Sequence, residues 1–172
     1  MSIWRRFDHG FPSLLTTNVR ARRPVFGDVT AARHVMKVIQ EIAEQEPFEL
    51  LAFVVMPDHL HLVAWPRPPV TTGRVMKMIK GRFAREYQAE RGQRGPFWQE
   101  RYHEEALTTD EAVLRAVEYV HHNPVEAGLV QSPVDWPWSS ASLPRPPVSG
   151  WKPDPRDGWK PEPRDQRVAL EQ

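Results

Sequence analysis

Two apolar segments on either side of the dipeptide Pro57-Asp58 constrain the fold more than any other feature of the sequence. The segments "FELLAFVVM" and "HLHLVAW" are rich in the β-branched, aromatic and aliphatic residues that favour buried strands. Proline and aspartate are typical turn residues. The pattern therefore predicts a β-hairpin that turns at Pro57 and Asp58.

Hydrophobic periodicity predicts five further elements around this hairpin. A strand at "SLLTTNVR" and a helix over "DVTAARHVMKVIQEIAEQE" come before it. A helix over "TTGRVMKMIKGRFAREYQAE", a strand around "WQERYHEEAL" and a helix over "TDEAVLRAVEYVHH" follow it, the last with a capping box at Thr108 and Glu111. The order predicts an α+β fold in which helices pack on an antiparallel sheet.

The chain has the length of one ordinary domain with a tail. It contains 172 residues, and its C-terminal part is rich in proline and carries a tandem near-repeat, "GWKPDPRD" followed by "GWKPEPRD". Such a segment cannot form a helix or a central strand. We therefore predict one domain over 1–142 and a Pro-rich tail over 143–172 that is extended or disordered.

The composition limits the compartment and the chemistry. The sequence has no cysteine, which excludes disulfides, thiolate metal sites and a cysteine nucleophile. No apolar run approaches the roughly 20 residues that span a bilayer, and the first residues lack the features of a secretory signal. We expect a cytoplasmic protein without membrane contact.

Two histidines lie one residue apart in the second strand of the hairpin. Because alternate side chains of a strand point to the same side, His59, His61, Val63 and Trp65 share one face. The histidines can be ordinary strand residues, each satisfied by one hydrogen bond, or a pair of ligands for a divalent cation. The spacing alone leaves both interpretations open.

The last helix carries Tyr119 and Asn123 one turn apart on the same flank of its apolar stripe, whereas His121 falls on the opposite flank. Pro124 disfavours helical geometry in the residue before it, so we expect Asn123 at the helix end, with its amide free to turn toward a neighbour. The two side chains can reach one site together, or they can be an edge-of-core aromatic and a helix cap. The stripe consists of Val113, Ala116, Val117 and Val120.

Charge is segregated along the chain although the formal net charge is only +1. Residues 1–27 and 67–101 are basic overall, whereas 28–66 and 102–142 are acidic overall. Such blocks indicate a surface that binds a polyanion such as nucleic acid, or simply a solvated charged surface. The candidate phosphate-binding residues follow the first strand or lie on the second helix: Arg20, Arg22, Arg23, Arg74, Lys77, Lys80, Arg82 and Arg85.

The chain resembles the REP-associated tyrosine transposases, a branch of the single-tyrosine HUH (His-hydrophobic-His) nucleases, in four ordered segments. These segments are "MPDHLHLVAW", "WQERYHEEAL", "YVHHNPVEAGLV" and "DWPWSSA". The segments "LLTTNVRARRPVF" and "MIKGRFAREY" are similar to the family pattern too, so the resemblance covers roughly residues 8–142. The tandem repeat of the tail lies outside it.

The resemblance implies a ferredoxin-like fold with about five antiparallel strands, the HUH nuclease fold. It also implies DNA transposition or recombination at REP elements, by cleavage and rejoining of single-stranded DNA near REP-type hairpins through a 5′-phosphotyrosine intermediate. By position, His59, His61 and Asn123 match metal ligands for Mg²⁺ or Mn²⁺, and Tyr119 matches the nucleophile. We expect a monomer rather than a dimer.

Two other functions fit the same residues. The protein can be a binding module for structured DNA or RNA that does not cut, or a metal-dependent hydrolase that uses water and tolerates the loss of Tyr119.

Either Glu104 or Glu105 can add a carboxylate or a base to an active site, or both can be solvated strand acids.

Overall fold

The computed structural model describes residues 10–143, so the predicted tail lies outside the described residues apart from Leu143. The order of elements is the one that hydrophobic periodicity predicts. None of the helices in this part of the chain is long and apolar enough to cross a bilayer. The strands and α-helices are β1 (Ser13–Asn18), α1 (Val29–Gln45), β2 (Phe48–Met56), β3 (His59–Pro66), α2 (Thr72–Arg91), β4 (His103–Ala106) and α3 (Asp110–Glu126).

The four described strands form one antiparallel sheet in the order β2-β3-β1-β4. With α1 between β1 and β2 and α2 between β3 and β4, this is the βαββαβ arrangement of ferredoxin-like folds. The predicted α+β class and ferredoxin-like topology are confirmed. The helix α3 is an addition that follows β4.

The two faces of the sheet have different covers. On the first, which we call the sealed face, Leu15, Leu60 and Leu62 pack in one apolar cluster with α1, α2 and the ring of Phe83. On the second, which we call the site face, Val54 and Val63 pack against α3 in a smaller cluster. Because α3 is the single helix on that side of the described sheet, it leaves polar strand residues uncovered.

The described sheet has four strands, against the about five that the family resemblance implies, and a loop lies along one of its edges. The segment after α3 runs along the outer edge of β2, where Val55 donates its backbone N–H to the carbonyl of Trp138 and Val54 forms an isolated bridge with Ser139. The side chain of Trp136 donates to the carbonyl of Val55. A loop thus protects the edge that an additional strand would otherwise cover.

Two local predictions on α3 are wrong. Its N-cap is Thr109, whose hydroxyl accepts from the backbone N–H of Ala112, rather than Thr108. The helix also continues through Pro124 to Glu126. Proline removes one intrahelical donor and crowds the preceding turn, but Pro124 lies in the last turn of α3 and is buried. The helix then ends in a Schellman motif at Gly128, whose φ is +69°.

Candidate metal and nucleophile site

The two histidine rings converge on one point, as their alternation in β3 predicts. The Nε2 atoms of His59 and His61 are 3.1 Å apart, and the rings meet edge to face with centroids 4.8 Å apart. His61 is 5% exposed and lies on the site face opposite Val54 of β2 and Thr16 of β1. The pair therefore presents two imidazole nitrogens at a shared, largely buried position.

The residue before the pair fixes the orientation of His59. Oδ1 of Asp58 lies 2.6 Å from Nδ1 of His59, while Oδ2 forms an ion pair with Arg22 at 2.8 Å. A carboxylate only accepts hydrogen bonds, so it selects the tautomer with the proton on Nδ1 and leaves Nε2 as a lone pair. A turn residue of the hairpin is thus also the orienting partner of a candidate ligand.

Thr16, the cross-strand neighbour of His61, contacts Nδ1 of that histidine as Asp58 contacts Nδ1 of His59. Its hydroxyl lies 2.8 Å from Nδ1 of that ring. A hydroxyl can either donate or accept. If Nδ1 of His61 donates to Thr16, both Nε2 atoms carry lone pairs and can bind a cation; otherwise Nε2 of His61 can donate to Nε2 of His59.

Burial keeps both rings neutral at physiological pH. It lowers the pKa of His61 to about 3, with smaller contributions from the neighbouring His59 and from the charge of Arg22. Burial also lowers the pKa of His59, although Asp58 opposes the shift. Neutral imidazole is the form that binds metal ions.

The histidine pair fits a divalent cation in spacing and in chemistry. Two nitrogens about 2.1 Å from one ion and at right angles to each other would be about 3.0 Å apart, close to the observed separation. Both Nδ1 atoms have oxygen partners, as is usual for histidines that bind metals. Among residues 10–143 no cluster of three or more His, Asp, Glu or Cys could complete such a site. A third protein ligand would therefore have to be of another type, such as an amide.

Tyr119 lies beside the histidines and is open to solvent. Its ring packs edge to face on His61, with centroids 5.3 Å apart, and the residue is 42% exposed. Asn123 follows one helical turn later and is partly buried. The structure thus brings Tyr119 and the two histidines together and leaves Asn123 on the same flank of α3.

Several residues predicted to bind phosphate have partners within the protein instead. Arg82 pairs with Glu41 and Glu86, and Nζ of Lys80 donates to the carbonyl of Gln99 at 2.9 Å. Arg22 pairs with Asp58, and Arg74 approaches Glu46 at 3.6 Å. The other four predicted residues have no acidic partner within residues 10–143: Arg20, Arg23, Lys77 and Arg85.

Two of these unpaired arginines line a basic groove that sequence patterns did not reveal. A depression of about 430 Å³ lies between the turn after β1 and the end of α2, with Arg20, Arg23 and Arg94 in its walls beside Gln88 and Gln93. Its lining residues include no acid. The arginines come from segments far apart in the sequence, so only the fold brings them together.

The two candidate strand acids lie on opposite faces. Glu104 accepts a hydrogen bond from Ser13 at 3.1 Å on the sealed side. Glu105 pairs in register with Leu14 and lines a groove on the site face together with Tyr119. Of the two, only Glu105 shares a surface with the tyrosine.

A ferredoxin-like sheet with a His-x-His pair beside a helical tyrosine defines the protein as one of the single-tyrosine HUH type. The chain belongs to the family of IS200-like transposases, whose model matches residues 14–123. Transposases are enzymes that act on DNA, so the expected class of protein is confirmed.

Individual relatives agree with this assignment. The REP-associated tyrosine transposase of Escherichia coli K12 is 29% identical over 143 residues, which cover 81% of this chain and 82% of the relative. A candidate REP-associated tyrosine transposase of Haemophilus influenzae is 29% identical over 111 residues, or 59% of this chain, and the alignment spans 63% of that relative's length. A solved structure of a REP-associated tyrosine transposase bound to a REP hairpin is 28% identical, with a TM-score of 0.62 and 77% coverage of each chain.

Proposed function

We propose that the protein is a metal-dependent transesterase that cleaves and rejoins single-stranded DNA beside REP-type hairpins through a covalent 5′-phosphotyrosine on Tyr119. The observation that carries this proposal is the packing of Tyr119 on His61, at the point where two neutral imidazole nitrogens converge. A nucleophile and a candidate cation site are thereby adjacent on the site face.

The reaction requires a nucleophile that can reach phosphorus and a means to stabilise charge on the phosphate oxygens. The hydroxyl of Tyr119 is accessible to DNA because the residue is partly exposed on α3. In the step, the Oη–P bond forms and the P–O3′ bond breaks. The phenolic proton leaves to solvent, and the 3′-oxygen takes up a proton as it departs.

Several residues around the histidine pair favour the binding of a cation. Asp58 and Thr16 hold the rings so that Nε2 of each faces the shared position, and Asn123 is one helical turn from Tyr119 and can add its amide oxygen. A bound Mg²⁺ or Mn²⁺ would supply positive charge to the scissile phosphate and favour the phenolate form of a nearby tyrosine.

Rejoining uses the same residues in reverse. The phosphotyrosine bond retains the energy of the phosphodiester, so a 3′-hydroxyl can attack it and release Tyr119 without a nucleotide cofactor. Water is a competing nucleophile, and a strand held in place would be favoured over it by its effective concentration.

The surface along α2 supplies contacts for the DNA backbone. Arg74, Lys77, Arg85 and Gln88 recur at helical spacing along one side of α2, and the basic groove with Arg94 lies at its C-terminal end. The solved relative carries a REP hairpin. We therefore propose hairpin DNA as the substrate here, with the duplex backbone along α2 and the single strand near Tyr119.

The test uses labelled hairpin DNA with a single-stranded flank and either Mn²⁺ or EDTA. We expect a covalent adduct with wild-type protein in Mn²⁺, none in EDTA, and none with Tyr119→Phe. Tyr102→Phe is the control, because the hydroxyl of Tyr102 contacts Glu104 rather than the histidines. An adduct with Tyr119→Phe would contradict the nucleophile assignment, and tight binding without any adduct would favour a non-cleaving DNA-binding module.

A further inference from the structure

The groove that Glu105 and Tyr119 line on the site face lies beside the histidine pair and is distinct from the basic groove near α2. It has a volume of about 360 Å³ and is formed by β1, β4 and α3. Tyr119 belongs to its wall, whereas neither His59 nor His61 does. Tyr119, which packs on His61, and Thr16, which contacts Nδ1 of His61, therefore connect the candidate cation site to this groove.

The cross-strand register explains how the groove forms. Leu14 is opposite Glu105, and Thr16 is opposite His103, so these four side chains make a two-by-two patch on the site face. The patch is short because β4 has only four residues. The helix α3 covers the adjacent strands and leaves the β1–β4 patch open beside Tyr119.

The lining of the groove suits one nucleotide. Leu14 and Leu107 contribute to its apolar lining, against which the flat face of a base can pack. The volume is near the lower end of the range of roughly 300–1,000 Å³ for small-ligand pockets, which fits a single nucleotide better than several.

The charged residues of the groove divide into a phosphate contact and a base contact. Arg115 lies one helical turn before Tyr119, and its ion pair with Glu111 is highly exposed, so a phosphate can replace that partner at little cost. Glu105 is an acid beside the expected path of a polyanion. A carboxylate there is favourable if it accepts a hydrogen bond from the exocyclic amino group of a base, which A, C and G carry and T lacks.

We propose that this groove is a subsite for the nucleotide directly 3′ of the cut, the one that becomes attached to Tyr119 through its 5′-phosphate. Arg115 binds the phosphate that follows this nucleotide, and Glu105 and His103 contact the edge of its base. The proposal rests on the proposed function, because that function makes Tyr119 the nucleophile. It adds a base preference at a defined position of the substrate.

The main test is a competition among hairpin substrates that carry A, C, G or T directly 3′ of the cut. We expect wild-type protein to prefer A, C or G, whose amino groups can donate to Glu105, over T. Glu105→Gln should change the ratios of kcat/KM among the four bases by about 5- to 100-fold, the discrimination typical of one good contact to a base edge. Arg115→Ala should slow all four substrates and leave their ratios unchanged.

The matched control is Glu118→Gln, the same substitution at an exposed acid of α3 that does not line the groove. It should keep the wild-type ratios. Equal use of the four bases by wild-type protein, or equal ratios in wild-type and Glu105→Gln proteins, would overturn the proposal while leaving the adduct chemistry intact. Since Glu105 is exposed, Glu105→Gln should not alter the thermal midpoint.

A second measurement needs no cleavage and so separates this proposal from the proposed function. Tyr119→Phe protein is irradiated in complex with hairpin DNA that carries 6-thio-2′-deoxyguanosine directly 3′ of the expected cut, and the cross-linked peptides are identified by mass spectrometry. We expect cross-links to the groove residues of β1 or β4, or to the first half of α3. Cross-links confined to other segments would contradict the subsite even if the wild-type protein forms adducts.

Discussion

Leu14 and Leu15 are neighbours in β1 but have opposite surroundings. Leu15 is fully buried on the sealed face, whereas Leu14 is partly exposed and lines the groove beside Tyr119. The same alternation separates Leu60 and Leu62, which are core residues, from His59 and His61 in β3. Successive residues of one strand therefore serve stability and the candidate chemistry in turn.

The two faces differ because they have different covers. Two helices and an aromatic cluster around Phe83 close the sealed face, with ring centroids 5.3 Å from Phe97 and 5.8 Å from Trp98. A single helix, α3, covers the site face, and one of the contacts that hold it there is a hydrogen bond between His121 and Ser140. A sheet of this kind can hold a polar site without losing its main core, because the apolar burial lies on the other side.

The largest expected difference is in stability, between Leu15→Ala and Leu14→Ala. Leu15→Ala should lower the free energy of unfolding by about 3 kcal/mol, in the range for leucines truncated in a core, whereas Leu14→Ala should lower it by less than about 1 kcal/mol. Urea denaturation of both variants measures the difference. Equal losses would show that the site face contributes as much to stability as the sealed face does.

The next effect concerns the orientation of His59. Asp58→Ala removes the acceptor for its Nδ1 proton, so the affinity for Mn²⁺ should fall by about 10- to 100-fold, as is common for partners of metal-binding histidines. Isothermal titration calorimetry measures the affinity. Asp135→Ala, at an exposed aspartate away from the histidines, is the control and should bind Mn²⁺ as wild type does; an unchanged affinity in Asp58→Ala would exclude an orienting role.

A third effect arises where α3 is attached. Nε2 of His121 lies 2.8 Å from the hydroxyl of Ser140, which also bonds to the backbone of Phe53 on β2. Burial lowers the pKa of His121 to about 4, below its ordinary value of 6.5. Between these values the unfolded chain binds a proton that the folded protein does not bind, so stability falls as the pH falls.

The size of this pH effect follows from the two pKa values. Between pH 7 and pH 5, the contribution of His121 to the loss of stability should be about 2 kcal/mol at most. Urea denaturation in EDTA should show that much less pH dependence in His121→Gln than in wild type. His122→Gln, at the exposed neighbouring histidine, should keep most of the wild-type pH dependence, because burial is the main cause of the lowered pKa of His121 and the charge of His122 the smaller one. Identical pH dependence in all three proteins would contradict a buried neutral His121.

The smallest effect should distinguish paired from unpaired basic residues on α2. Lys77→Ala should weaken hairpin binding modestly and reduce the slope of log affinity against log salt by about one, because one phosphate contact is lost. Arg82→Ala should leave that slope unchanged, since Arg82 already pairs with Glu41 and Glu86. Fluorescence anisotropy at several salt concentrations measures both slopes. Equal slopes for the two variants would contradict the distinction between basic residues that bind phosphate and those that an acid already neutralises.

The hairpin, the helices and the shared face of His59 and His61 could be predicted because each follows from local periodicity. Helical spacing within α3 also predicts the flank on which Tyr119 lies, and the contact of Tyr119 with His61 is consistent with that prediction. Other features depend on strand register, such as Thr16 opposite His61 and Glu105 opposite Leu14. No pattern within a single segment encodes a cross-strand pair.

Charge patterns predicted less of the candidate DNA surface than periodicity predicted of the fold. A run of basic residues shows where positive charge lies, but not which side chains an acid elsewhere neutralises. Arg82 and Arg22 have such acids nearby in the fold, whereas Arg94 joins the basic groove from a turn that the sequence did not distinguish.

The most direct test of the site face is a crystal structure of the protein grown with Mn²⁺, with anomalous diffraction data to locate the ion. The account predicts one anomalous peak about 2.2 Å from Nε2 of both His59 and His61, on the side of Tyr119, and no such peak in a His61→Ala protein. A structure in which Nε2 of one histidine donates to the other and Mn²⁺ binds elsewhere would contradict it.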